Sequence, residues 1–148
     1  MSDLTCRMTG IPAMTGPEID KIRRLESAAL QMPQVDITTS HFLHAGTYVR
    51  TVRIPAGVLI TGALIKIPTT LIVSGDVVVY IGSQTLNLTG YNVIPAQGNR
   101  KQAFLARSET WLTMTFATDA ATVAEAEQEF TDEFTMLITR RNEDLCLE

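Results

Sequence analysis

Two stretches of the chain alternate apolar and polar residues with a period of two. In "QTLNLT" Leu86 and Leu88 share one face, with Thr85, Asn87 and Thr89 on the other. In "WLTMTF" Leu112, Met114 and Phe116 face one way and Trp111, Thr113 and Thr115 the other. This is the pattern of strands with one buried face. "VLITGALIKI" and "DVVVYI" are apolar on both faces, which predicts cover from two sides, by an opposing sheet and by a helix or another subunit. That second cover is an argument for oligomerisation. Glycines at 57, 62, 75, 82, 90 and 98 punctuate these runs, and Ser74-Gly75-Asp76 reads as a turn between strands. Turn signals so spaced predict an all-β sandwich or barrel, not a parallel α/β sheet.

On either side of this region the period lengthens to that of a helix. "TGPEIDKIRRLESAALQMP" places Pro17 near the first helical position, with Thr15 or Gly16 as cap and Glu18 and Asp20 in the first turn. Each suits the positive end of a helix. Ile19, Ile22, Leu25, Ala29 and Met32 then form one face, and Pro33 ends it. "TDAATVAEAEQEFTDEF" has capping-box spacing at Thr122 and Glu125, with a face of Val123, Ala126 or Glu127, Phe130 and Phe134. Its carboxylates (Asp119, Glu125, Glu127, Glu129, Asp132, Glu133) lack calcium-loop spacing and read as a solvated face. "TMLITRR" adds a last strand or helical turn, and "NEDLCLE" reads as a tail.

At 148 residues, 45% hydrophobic and 19% charged, the chain fits one globular domain. The boundaries are an N-terminal arm and helix over 1–40, a β-barrel over 41–118, and an acidic helix and tail over 119–148. No apolar run reaches the roughly 18 residues of a membrane helix. "MSDLTCRMTG" lacks the apolar core of a signal peptide, so the expectation is a cytoplasmic protein, with Cys6 and Cys146 reduced in preference to the alternative of a staple between the termini. The net charge of −4 is uneven: Thr47 to Phe116 carries Arg50, Arg53, Lys66, Arg100, Lys101 and Arg107 against Asp76 and Glu109. A basic centre between acidic flanks is unlike a nucleic-acid binder, but suits either solvated strands or a small anionic ligand.

Little chemistry is visible. The histidines, His41 and His44, lie at the very start of the barrel segment, the cysteines lie near the termini, and no nucleophile-elbow pattern surrounds a serine. "GNRKQ" lacks the spacing of a phosphate loop. Asp76 and Glu109 are the only acids available in the barrel for paired-carboxylate catalysis. His41 and His44 could share a metal only on a helix, and no third ligand is near.

Ile54-Pro55-Ala56-Gly57, Ser74-Gly75-Asp76, Pro95 followed by Gly98 and Arg100-Lys101, and Trp111 with an acidic helix after it resemble the small single-domain cupins of phages and bacteria. The resemblance spans roughly residues 42 to 133 and is specific only as a combination. It implies a double-stranded β-helix, or jelly roll, with a ligand site inside the barrel. Many such proteins hold a metal through two histidines and a glutamate in a first motif and a histidine in a second. Here the first window, Ala63 to Ile72, has no His, Glu, Asp or Cys, and Lys101 stands about where the last histidine would be. An ammonium repels a cation, so the resemblance implies a barrel without the metal and without a cofactor.

The expectation is therefore a mainly β, cupin-like jelly roll flanked by two amphipathic helices. Its leading reading is a non-enzymatic, phage-derived homo-oligomer, dimer or trimer, acting as a structural or accessory protein beside other virion proteins. The second reading is a protein that binds a small anion, such as a sugar phosphate or nucleotide, through Arg53, Lys66, Arg100, Lys101 and Arg107. Tyr48 and Trp111 would line that pocket or pack at an interface. A metal enzyme using His41 and His44 ranks third.

Overall fold

Thr15 opens the first helix, α1 (Gly16–Ala29). Its hydroxyl accepts from the Glu18 N–H while the Glu18 carboxylate accepts from the Thr15 N–H, a complete capping box. The same carboxylate accepts from the N–H and hydroxyl of Ser83, tying the helix to a distant turn. Thr15 first and Ser83 second pull the Glu18 carboxyl down to about 2. The computed structural model of the chain describes residues 10–137. Cys6, Cys146 and the expected tail lie outside the described residues.

Seven strands follow: β1 (Thr38–His44), β2 (Thr47–Ile54), β3 (Leu59–Thr61), β4 (Thr69–Ile81), β5 (Gln84–Ala96), β6 (Ala103–Ala106) and β7 (Thr110–Ala117). They form one antiparallel sheet in the order β1-β2-β7-β4-β6-β3, with β5 added to β4. β4 makes this arrangement possible. It pairs with β5 along its whole length, while its other edge takes β7 at Thr70–Ser74 and then β6 at Val77–Tyr80. The sheet thus forks and curls into a half-barrel, with β1 and β3 as the ends of the path.

The fork corrects the expected turn at Ser74-Gly75-Asp76. The chain does not reverse there, because β4 continues to Ile81 and the turn falls at Gly82 and Ser83. Gly75 lies at φ 148° opposite Gly90 at φ 73°, so both strands bend together. A Cβ on Gly75 would stand 2.8 Å from the Thr110 Cα, where β7 leaves the fork.

The alternating runs behave as read. Leu88, Met114 and Phe116 point into the core with Val77, Val79, Ile94 and Phe104. The doubly apolar runs find their second cover within the chain: Ile19 and Ile22 of α1 bury against Met14 and Ala103, with Leu59, Leu64 and Tyr80 at the margin.

The closing helix, α2 (Val123–Phe130), is capped by Thr122, whose hydroxyl accepts from the Glu125 N–H. The Glu125 carboxylate accepts from Ala121 instead of Thr122, so only half of the box forms. Phe130 is fully buried, stacked on Tyr48 at 5.9 Å and edge-on to Phe116 at 6.1 Å. Of the supposedly solvated carboxylates, Glu127 is 1% exposed and faces Arg50. Its place on the apolar face of α2 carries it into the core. A short 3-10 turn (Phe134–Met136) follows.

Candidate functional site: the cavity inside the curled sheet

The inward residues of the half-barrel do not fill it. They enclose a cavity of about 570 Å³, walled by Val52, Ile60, Leu71, Phe104, Leu112 and Met114. Met32, Val35 and Met136 also line it while standing 66%, 49% and 61% exposed, so they mark its opening. The wall is largely apolar; its polar side chains come from β2, the chain just before β6, α1 and the segment after it, β3 and the C-terminal segment.

Arg100, Lys101 and Gln102 are all buried, and alternation sends the middle one away from its neighbours. The Arg100 Nε donates to Gln102 Oε1 at 3.1 Å, Nη1 to the Gln97 carbonyl at 2.6 Å and Nη2 to Thr69 Oγ1 at 2.6 Å. Every acceptor is neutral, and among the described residues no carboxylate lies within salt-bridge distance of Arg100. Burial pulls its pKa down to about 10, so it stays charged at neutral pH. Gln102 lines the same cavity, and its Nε2 is buried without a hydrogen-bond partner among the described residues.

Lys101 is differently placed. Its Nζ donates to the Gly62 carbonyl at 3.0 Å and meets Glu26 at 3.1 Å and Glu133 at 3.2 Å. This joins α1 and the C-terminal segment across one end of the cavity. Burial pushes the Glu133 carboxyl up, but the Leu64 N–H at 2.6 Å, the Lys101 charge and Arg23 outweigh it and hold Glu133 below the usual carboxylate range. A lowered carboxyl stabilises the fold above its unfolded pKa, and that stability is lost as pH falls through the folded value. Wild type should therefore lose stability between about pH 4.3 and lower values more steeply than Glu133→Gln, as acid titration followed by circular dichroism would read.

Arg50 and Glu127 form a second buried pair at 3.6 Å. Arg50 Nη1 donates to the Tyr48 hydroxyl at 3.4 Å, which lies 3.0 Å from His41 Nδ1. His41 and His44 sit on a strand, not a helix. The half-buried His41 and the exposed His44 therefore face opposite sides of β1 and do not share a ligand.

Of the five basic residues singled out from the sequence, only Arg100 and Lys101 reach the cavity. Arg53 pairs with Glu109 on the surface, its guanidinium 5.8 Å from the Trp111 ring. Lys66 pairs with Asp132 at 2.7 Å and Arg107 with Asp76 at 3.1 Å, both in solvent. Tyr48 is buried in the core, and Trp111 is 45% exposed on the outer face. Sequence reasoning missed Arg50, Gln102, Glu127 and the two carboxylates on Lys101. Gln102 had one available signal, its position two residues beyond Arg100 on the same face.

The cavity does not suit a cupin metal. Its cations are Arg50, Arg100 and Lys101, its carboxylates Glu26 and Glu133 are both engaged by Lys101, and no histidine lines it. Among the described residues no three His, Cys, Asp or Glu side chains group to hold a metal ion.

No protein-family model matches the sequence, and no curated protein matches it. Solved structures do. A cupin superfamily protein from Desulfitobacterium hafniense superposes with TM-score 0.47 at 11% identity, over 60% of this chain and 83% of that one. KdgF from a Halomonas species gives 0.47 at 13% identity, over 60% and 87%. Salicylate 1,2-dioxygenase from Pseudoaminobacter salicylatoxidans gives 0.50 at 15% identity, over 76% of this chain but 33% of that one. The fold is cupin-like. At these identities the likeness concerns the fold alone. Among the described residues no helix is long and apolar enough to cross a membrane.

Proposed function

We propose that this cupin-like chain is a non-enzymatic binding protein that takes a small, largely apolar molecule inside its curled sheet. One observation carries the reading: an apolar cavity of about 570 Å³ has in its wall a buried amide, Gln102, with no hydrogen-bond partner among the described residues. Ligand sites are commonly apolar clefts of about 300–1,000 Å³ with a few convergent polar groups. A buried polar group without a partner costs about 1–3 kcal/mol, which a ligand acceptor would recover. In this reading the metal positions of cupins are not retained, since Ala63 to Ile72 carries no His, Glu, Asp or Cys. The test is thermal unfolding with octan-1-ol as a neutral probe. A saturable rise in Tm is expected, equivalent to about 2.7 kcal/mol at a hundred times its dissociation constant. A flat response up to the solubility limit would contradict the reading.

A second reading, self-association in a structural or accessory role, is favoured by β5. This edge strand has no charged residue along its 13 positions and, among the described residues, pairs with β4 alone apart from a bridge between Ile11 and Ala96. Tyr91 and Val93 on it are 70% and 42% exposed. Edge strands normally carry charges that block pairing, so an uncharged edge is complementary to a second copy of itself. Phage derivation belongs to this reading and rests on the sequence resemblance. Light scattering on the eluting protein should give a dimer or larger, and a stable monomer at micromolar concentration would dispose of it.

A further inference from the structure

The charges around the cavity also define the polar end of its occupant, given the binding reading above. Among the described residues three cations line it, and two already face carboxylates: Arg50 meets Glu127, and Lys101 meets Glu26 and Glu133. Among the same residues Arg100 has only neutral acceptors. An arginine has five N–H groups. Nε and Nη1 are engaged, and Thr69 takes one of the two on Nη2. One guanidinium N–H therefore remains, beside the two of the Gln102 amide, whose oxygen already accepts from Arg100.

We infer that Arg100 and Gln102 together bind the carboxylate of a medium-chain monocarboxylic acid, whose hydrocarbon body lies against Leu71, Leu112 and Met114. The charge count selects a monoanion. One uncompensated buried cation matches one carboxylate, whereas a phosphate dianion would bring a second negative charge into an apolar enclosure at high cost. The same count turns the expected sugar phosphate or nucleotide into the less suited ligand. The wall supports this: Val52, Ile60, Leu71, Phe104, Leu112 and Met114 are apolar, and of its other polar side chains Glu26, Arg50, Lys101 and Glu133 are held in ion pairs while Gln34 and Thr61 already donate to Ala29, Met32 and Glu26. A carboxylate is planar and accepts from a guanidinium and an amide at once, with charge-assisted bonds stronger than those of a neutral oxygen.

The experiment is calorimetric titration of wild type and Gln102→Leu with octanoate and with octan-1-ol, which share a chain and differ in the head group. Gln102→Leu is nearly isosteric and removes the unpartnered Nε2, but it also removes the acceptor of the Arg100 Nε–H, so a loss of stability is expected and circular dichroism must show the variant folded before it is titrated. Octanoate should bind wild type about tenfold or more tighter than octanol, and Gln102→Leu should lose about tenfold for octanoate and clearly less for octanol, whose hydroxyl accepts one neutral bond. Arg100→Lys, which keeps the charge but not the planar donors, should weaken octanoate and spare octanol. If octanol binds as well as octanoate, or if Gln102→Leu binds both unchanged, the carboxylate inference falls and the cavity reading survives. Inorganic phosphate competing with octanoate at equal concentration would also overturn it. If neither octanoate nor octanol binds wild type, both readings fall together.

Discussion

Glu127→Ala is expected to destabilise the protein by about 3–5 kcal/mol, a fall of roughly 10 °C in Tm for a chain of this size. Glu127 is 1% exposed and Arg50 8%, with 3.6 Å between guanidinium and carboxylate. Removing the acid deletes the counter-charge facing a buried guanidinium that is also 6.0 Å from the Phe130 ring. The cost arises chiefly from stranding a charge away from water, because a buried pair as a whole contributes little against an apolar replacement. The double variant Arg50→Met with Glu127→Leu should therefore regain most of the loss. Urea denaturation of the wild type, Glu127→Ala and the double variant measures it. If the double variant is no more stable than Glu127→Ala, the pair is not acting as a charge pair.

Phe130→Ala should cost a similar amount, about 3–5 kcal/mol, by a different route. The ring packs on Tyr48 and Phe116 and ends α2, while its carbonyl accepts from the Lys66 N–H at 2.8 Å. The backbone contact survives the substitution, so the loss is that of buried apolar surface and of the space left behind. Phe130 also lines the cavity, and truncation should enlarge it. The denaturation midpoint should drop with an unchanged slope, and Phe130→Leu should lose only about 1 kcal/mol. A change under 1 kcal/mol in Phe130→Ala would mean that α2 does not dock on the sheet as described.

These residues also mark what the sequence could and could not disclose. β5 and β7 were legible because one face of each is buried and the other solvated, so their side chains alternate visibly. α1 was legible because Thr15, Pro17 and Glu18 act locally. Gly75 was misread because a glycine in a turn and one at a bend look alike in sequence. The distinction is made by φ 148° and by Thr110, a residue on another strand. The basic residues were only partly separable. Arg100 and Lys101 are adjacent and must diverge, but nothing local says which one finds acids, since Glu26 and Glu133 arrive from the two flanking helical segments. Glu127 was misread as solvated because six carboxylates between Asp119 and Glu133 outweighed its position on the apolar face.

The central claim is that the curled sheet holds its ligand inside. Methyl-resolved NMR of the protein titrated with octanoate tests it most directly. The methyls of Leu71, Leu112 and Met114 line the cavity, while Val93 on the outer face is 42% exposed and provides the internal control. The account predicts saturable shifts at the first three with Val93 unmoved. Shifts confined to Val93 and its outer-face neighbours, with Leu71, Leu112 and Met114 unchanged at saturating octanoate, would contradict it.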